Sequence, residues 1–164
     1  MLHTKRTALR LTAIAAVAAA GLVMTTATGV TADRRRGESK QEKEWTQTGI
    51  GANITQDDGS ILLVASVENS IDGPGATVSE ITLEGNTGTG SATRYTANGV
   101  VKGEEEFTLG APDADGLIPF NGSGDCVKGG TRAYRGVKCT YTFTGTLDPT
   151  TNVVTFEITG TQSR

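Results

Sequence analysis

From Trp45 onward, apolar and polar residues alternate with a period of two, and no stretch carries a convincing helical period. The alternation is cleanest over residues 137–147. Its odd positions are Val137, Cys139, Tyr141, Phe143, Gly145 and Leu147, and its even positions are Lys138 and the threonines 140, 142, 144 and 146. A strand of this kind buries one face and wets the other. Asp148-Pro149-Thr150-Thr151-Asn152 reads as a turn with Pro at its favoured second position, and residues 153–159 alternate again with Val154, Phe156 and Ile158 on one side. These two segments predict a hairpin. Further strands are predicted at 60–68, 77–84, 92–101, 103–109 and 117–127, with 45–54 as the first. The clusters Gly85-Asn86-Thr87-Gly88-Thr89-Gly90, Asn98-Gly99 and Asn121-Gly122-Ser123-Gly124 read as punctuation between strands. Short strands in regular succession argue for an all-β barrel or sandwich. Glycine supplies 20 of the 132 residues after position 32, a density that suits tight turns and barrel corners.

The first 32 residues follow a different rule. Lys5, Arg6 and Arg10 precede an uninterrupted apolar run from Leu11 to Met24, and Val30-Thr31-Ala32 places small or short residues before Asp33. This predicts a secretory signal peptide over 1–32, cleaved before Asp33, and an extracellular destination. The run of 14 residues is short for a membrane span, which needs about 20, so no stable insertion is expected after cleavage. Residues 33–44 (DRRRGESKQEKE) hold five basic and four acidic residues and no large apolar side chain, and predict a flexible charged leader ahead of a barrel domain at 45–164.

Removing residues 1–32 also changes the available chemistry. It takes away three basic residues, leaving 12 Lys+Arg against 18 Asp+Glu, so the net charge moves from −3 to about −6. An acidic domain is a poor partner for nucleic acid. The single histidine, His3, goes with the same segment. Histidine triads, histidine-ligated zinc and histidine general bases are thereby excluded from the processed chain. Cys126 and Cys139, the two cysteines, are expected to pair as a disulfide in an oxidising compartment, since neither a base to activate a catalytic thiol nor further metal ligands accompany them. Asp113-x-Asp115-Gly116 is a fragment of a calcium-loop pattern without its later Glu, and reads as a turn.

The C-terminal third carries a more specific pattern. Val127-Lys128-Gly129-Gly130-Thr131 is followed by Tyr134-Arg135-Gly136-Val137-Lys138 and then by the hairpin with Asp148-Pro149 and Val153-Val154. This resembles the closing region of dirigent proteins, allene oxide cyclases and bacterial proteins sharing their barrel. Their signature is a GGTG-x-aromatic-x-x-Ala-Arg-Gly stretch followed by two strands of alternating Val and aromatics. The match covers about a fifth of the chain, with Arg132 in place of the last Gly of GGTG and Cys139 in place of another Gly. The resemblance implies a small antiparallel eight-stranded barrel with an apolar interior that works without cofactors. It implies a cyclase or isomerase that holds an apolar intermediate, derived from a polyketide or a lipid, in one folded shape. Such catalysis rests on preorganisation and a dry pocket.

With histidine and free thiols gone, proton transfer falls to carboxylates, phenols or lysines. In Glu104-Glu105-Glu106-Phe107, alternation puts Glu105 on the side of Phe107 and Leu109. Facing the interior, Glu105 would be an acid with a raised pKa; facing outward, it belongs to a charged edge. Tyr141 shares its face with Phe143 and offers either a catalytic hydroxyl or a core ring. Phe107, Phe143, Tyr95 and Trp45 are the candidate ligand-binding residues. Of the neighbours Arg94 and Tyr95 only one can face inward, and Trp45 either caps the barrel mouth or packs in the core. The row of threonines at 140–146 is explained by β-propensity on a wet face, with partner binding as the alternative. Three readings result: a cofactor-free cyclase or isomerase on an apolar small molecule, a non-catalytic binder of such a molecule, and an interaction module. The sequence neither requires nor excludes a homo-oligomer. An inward acid or Tyr on a cavity of several hundred Å³, a common ligand-site volume, separates the first two readings from a barrel filled by side chains.

Overall fold

The computed structural model describes residues 42–164, so the predicted signal segment and residues 33–41 of the leader lie outside the described residues. Eight strands follow in chain order: β1 (Lys43–Thr55), β2 (Ile61–Asn69), β3 (Gly73–Glu84), β4 (Thr87–Thr96), β5 (Gly99–Leu109), β6 (Ile118–Cys126), β7 (Lys138–Asp148) and β8 (Val153–Ser163). Each pairs antiparallel with the next, and β8 pairs with β1, closing the sheet into a barrel. The fold is all-β as expected, with one 3-10 turn among the described residues, at Arg132–Tyr134. Among the described residues no helix is long and apolar enough to cross a membrane.

The period-two pattern places its faces as predicted. Cys139, Tyr141 and Phe143 of β7 and Val154, Phe156 and Ile158 of β8 are buried in one cluster with Trp45, Leu63, Ala65, Val67 and Ile81. The hairpin joining β7 to β8 is organised by Asp148. Its carboxylate accepts from the backbone N–H of Thr150 and from the hydroxyls of Thr150 and Thr151, which hold its pKa down at about 2.

Three predicted boundaries are corrected. The segment 92–101 is not one strand: it turns at Ala97-Asn98, with Thr96 paired to Gly99. The glycine run 85–90 is mostly strand, because only Gly85 and Asn86 form the turn between the paired residues Glu84 and Thr87. Lys43 and Glu44, assigned to the leader, already pair with Gln162 and Thr161 of β8.

The glycines inside strands have a common cause. An eight-stranded barrel is just wide enough to be filled by side chains, so an inward ring needs empty space opposite. Phe107 lies between Gly88 and Gly122 of its neighbouring strands, and Phe156 between Gly49 and Gly145. Tyr141 lies between Gly124 and Gly160, and Gly160 also faces Trp45. The volume a side chain would fill is taken at Gly49 by the Phe156 ring, at Gly88 by Phe107, at Gly122 by Phe143, at Gly124 by Tyr141, at Gly145 by Phe120 and at Gly160 by Trp45.

One end of the barrel is closed by the loop 127–137. It hydrogen-bonds to the β4–β5 hairpin through Val127 N–H to Lys102 O, Thr131 N–H to Val100 O and Ala133 N–H to Asn98 O. Tyr134 of this loop is buried, and its hydroxyl donates to Asp72. Arg132, which stands where the resembled signature has Gly, adopts φ 50°. Cys126 and Cys139 are bonded at the two ends of this loop, with Cα atoms 5.0 Å apart. Closing a loop of 13 residues' separation constrains the unfolded chain by roughly 3 kcal/mol. Cys126→Ser/Cys139→Ser is therefore expected to lower unfolding free energy by about that amount in urea titrations. Exchange of the Thr131 and Ala133 amides should accelerate first, since the bond anchors the loop while the sheet is closed by its own ladders.

Candidate functional site

Glu105 on β5, Gly124 on β6 and Tyr141 on β7 stand side by side at one level of the barrel. Gly124 makes the arrangement possible, because a Cβ there would lie 2.5 Å from Tyr141 Cζ. The phenol crosses over that glycine and its hydroxyl donates to Glu105 Oε1 at 3.1 Å. Parity along β5 turns Glu105 inward with Phe107 and Leu109. Glu104 and Glu106 turn outward beside Glu80 and Asp125 in a shallow acidic groove. Glu68 and Glu80 are exposed.

Burial raises the pKa of the Glu105 carboxyl, since desolvation penalises its charged form, and the hydrogen bond from Tyr141 opposes this more weakly. The Tyr141 phenol is also raised, by burial first and then by the nearby Glu105. The pair is thus a carboxyl biased toward its protonated form, held by a phenol that keeps its own proton.

Two cavities flank this pair. The outer one, about 90 Å³, is mainly apolar, walled by Phe107, Phe120, Phe143, Phe156 and Ile158, with Asn53, Thr77, Ser79 and Glu105 as its polar lining. The inner one, about 40 Å³, is bounded by Trp45, Thr77, Arg94, Glu105 and Tyr141. Thr77, Glu105 and Ile158 line both. The outer volume falls below the roughly 300–1,000 Å³ of drug-sized ligand sites. The inward acid and phenol are present, while the two interior cavities beside them fall short of the several hundred Å³ expected.

Phe107 and Phe143 wall the outer cavity, and Trp45 is 4% exposed, a core residue that lines the inner cavity instead of capping a mouth. Tyr95 is corrected as a ligand-binding residue of the interior: it is 49% exposed on the outer face, and Arg94 takes the inward position. The reason lies in β4 itself. Gly88, Gly90, Ala92 and Arg94 share one parity along β4, the inward one, on which Gly88 leaves room for the Phe107 ring. The shared parity is a property of the sequence, but its inward direction is set by the pairing of Gly88 with Phe107. Its guanidinium donates to Gln47 Oε1 at 3.0 Å, and its Cζ lies 4.8 Å over the Trp45 ring and 5.9 Å from the Tyr134 ring. Burial lowers the Arg94 pKa, and Asp72 acts in the opposite sense.

The outer threonines satisfy one another. Thr140 pairs with Thr161, Thr142 with Thr159 and Thr146 with Thr155, at 3.5, 3.3 and 2.9 Å between hydroxyl oxygens. Asp113 forms a local turn, its carboxylate accepting from the N–H groups of Asp115 and Leu117. No known family, no curated protein and no solved structure matches this chain.

Proposed function

We propose that this chain is an exported barrel similar to the allene oxide cyclases and dirigent proteins, which binds a compact apolar molecule and steers its isomerisation or cyclisation without a cofactor. The observation that carries the reading is the Glu105–Tyr141 hydrogen bond at the inner wall of an apolar cavity. A carboxyl biased toward protonation by burial can give a proton to a substrate oxygen or double bond and take one back, and Tyr141 would stabilise the carboxylate formed between those steps. The surrounding rings would hold the molecule near its reacting shape and exclude water. The Cys126–Cys139 bond and the N-terminal charge and hydropathy pattern support export.

A second reading, a non-catalytic binder, is favoured by the outer cavity of about 90 Å³, which limits the occupant to a small molecule or to one end of a larger one. Deleting the gene and comparing culture metabolites separates the two. Accumulation of a linear precursor with loss of a cyclised product supports the enzyme. An unchanged profile removes it and leaves the binder.

A further inference from the structure

Among the described residues, four buried side-chain polar atoms have no hydrogen-bond partner. Three of them, Trp45 Nε1, Thr77 Oγ1 and Arg94 Nε, belong to side chains that line the inner cavity of about 40 Å³. Unpaired buried donors are costly, and three around one space are complementary to an acceptor held there. The three residues are 4%, 6% and 8% exposed, so bulk water does not satisfy them.

The charge around the cavity points the same way. The hydrogen bond from Arg94 goes to the neutral Gln47. Asp72 influences Arg94 by its charge, but its two oxygens are engaged by the Tyr134 hydroxyl and the Asn98 amide. Glu105, the other ionisable group facing this space besides Tyr141, is biased by burial toward its neutral form. The cavity is therefore lined by a desolvated cation and hydrogen-bond donors, and the Asp72 charge that offsets the cation has its oxygens engaged elsewhere. Its volume is on the order of one or two water molecules, which suits a group of three heavy atoms.

We infer that the inner cavity is an oxyanion subsite, in which Arg94, Trp45 and Thr77 hold the carboxylate of a small apolar acid whose hydrocarbon part lies in the outer cavity. The inference rests on the reading of the barrel as a container for an apolar molecule, and it names that molecule's polar end. Thr77, Glu105 and Ile158 form the shared wall, so one molecule spans both spaces with Glu105 beside the carbons nearest its head.

Trp45 is the single tryptophan, so its emission reports occupancy of this subsite directly. The purified protein is titrated with octanoate, 1-octanol and acetate, using calorimetry for affinity and Trp45 emission for location. Octanoate is expected to bind at least about tenfold more tightly than 1-octanol, the ratio of a charge-assisted hydrogen bond to a desolvated guanidinium. It should also shift Trp45 emission saturably. Arg94→Gln should level the two probes. Thr77→Val, which keeps the side-chain shape, should weaken octanoate several-fold and leave 1-octanol unaffected. Equal affinity of the two probes for the unaltered protein overturns the subsite while sparing the apolar container, as does a preference that survives both substitutions. Binding of neither long probe overturns the container. In that case saturable, Arg94-dependent binding of acetate retains the subsite for a small carboxylate, and its absence overturns that as well.

Discussion

Glu105→Gln is expected to stabilise the barrel at neutral pH and to abolish any turnover. Burial raises the carboxyl's pKa in the folded state above its ordinary value of 4.5. Below about pH 4 the group is protonated in both the folded and unfolded chain, and contributes no pH dependence. Above that range the unfolded chain releases its proton while the folded chain retains it. Wild-type stability then falls by about 1.4 kcal/mol per pH unit, until the pH passes the folded-state pKa and the loss levels off. Glutamine cannot ionise, and its amide oxygen still accepts from Tyr141. The variant therefore matches the wild type in acid and exceeds it by a growing margin toward neutrality. Urea titrations of both proteins at about pH 4, 5.5 and 7 measure the difference directly. Parallel curves would show that Glu105 carries no penalty in the fold, and with it would go the argument for a poised acid. A group retained at a cost in stability fits a functional site, and losing turnover while gaining stability would bind the two observations to one residue.

The residues that could be read in advance were those governed by strand parity. Alternation along β5 puts Glu105 on the side of Phe107 and Leu109, and along β7 puts Tyr141 on the side of Phe143 and Cys139; that these sides face inward is decided by the closed barrel. Their meeting did not follow, because it depends on register. Glu105 and Tyr141 belong to strands separated by β6, and only the pairing of Gly124 with both brings them to one level. The same register hides behind Tyr95. A lone strand with Arg on one face and Tyr on the other looks as though it should bury the ring. The cross-strand demand for small residues opposite Phe107 fixed the opposite parity. Glycine misled for a related reason. Its usual role in turns accounts for Gly59, Gly85 and Gly116, each with positive φ, but Gly88, Gly122 and Gly124 are strand residues that make room for rings. The inner cavity was the least legible feature, since Trp45, Thr77 and Arg94 come from β1, β3 and β4 and share no sequence motif.

The strand glycines lead to a second large effect on stability. Gly122→Ala is expected to destabilise the barrel by about 3 kcal/mol, the upper end of the usual overpacking range. An added Cβ would lie 2.6 Å from both Phe107 Cβ and Phe143 Cζ, and closer still to the Glu106 carbonyl oxygen. The Phe143 ring tip can move, but the Glu106 carbonyl and Phe107 Cβ are fixed by the β5–β6 pairing. Combining the change with Phe143→Leu should recover only part of the loss, and a double-mutant cycle in urea yields that coupling. Gly116→Ala is the control: φ is +81° there and nothing lies within 4 Å, so backbone strain alone remains, at about 1–2 kcal/mol. A loss at Gly122 no larger than at Gly116 would mean that the rings are not held against the glycines. The size of the outer cavity depends on the same contacts, because Phe107 and Phe143 are at once the partners of Gly122 and two of its walls. Trimming Phe143 should therefore enlarge the space for an apolar occupant while the Glu105–Tyr141 pair stays in place, making ring volume, more than strand geometry, the determinant of which molecules fit.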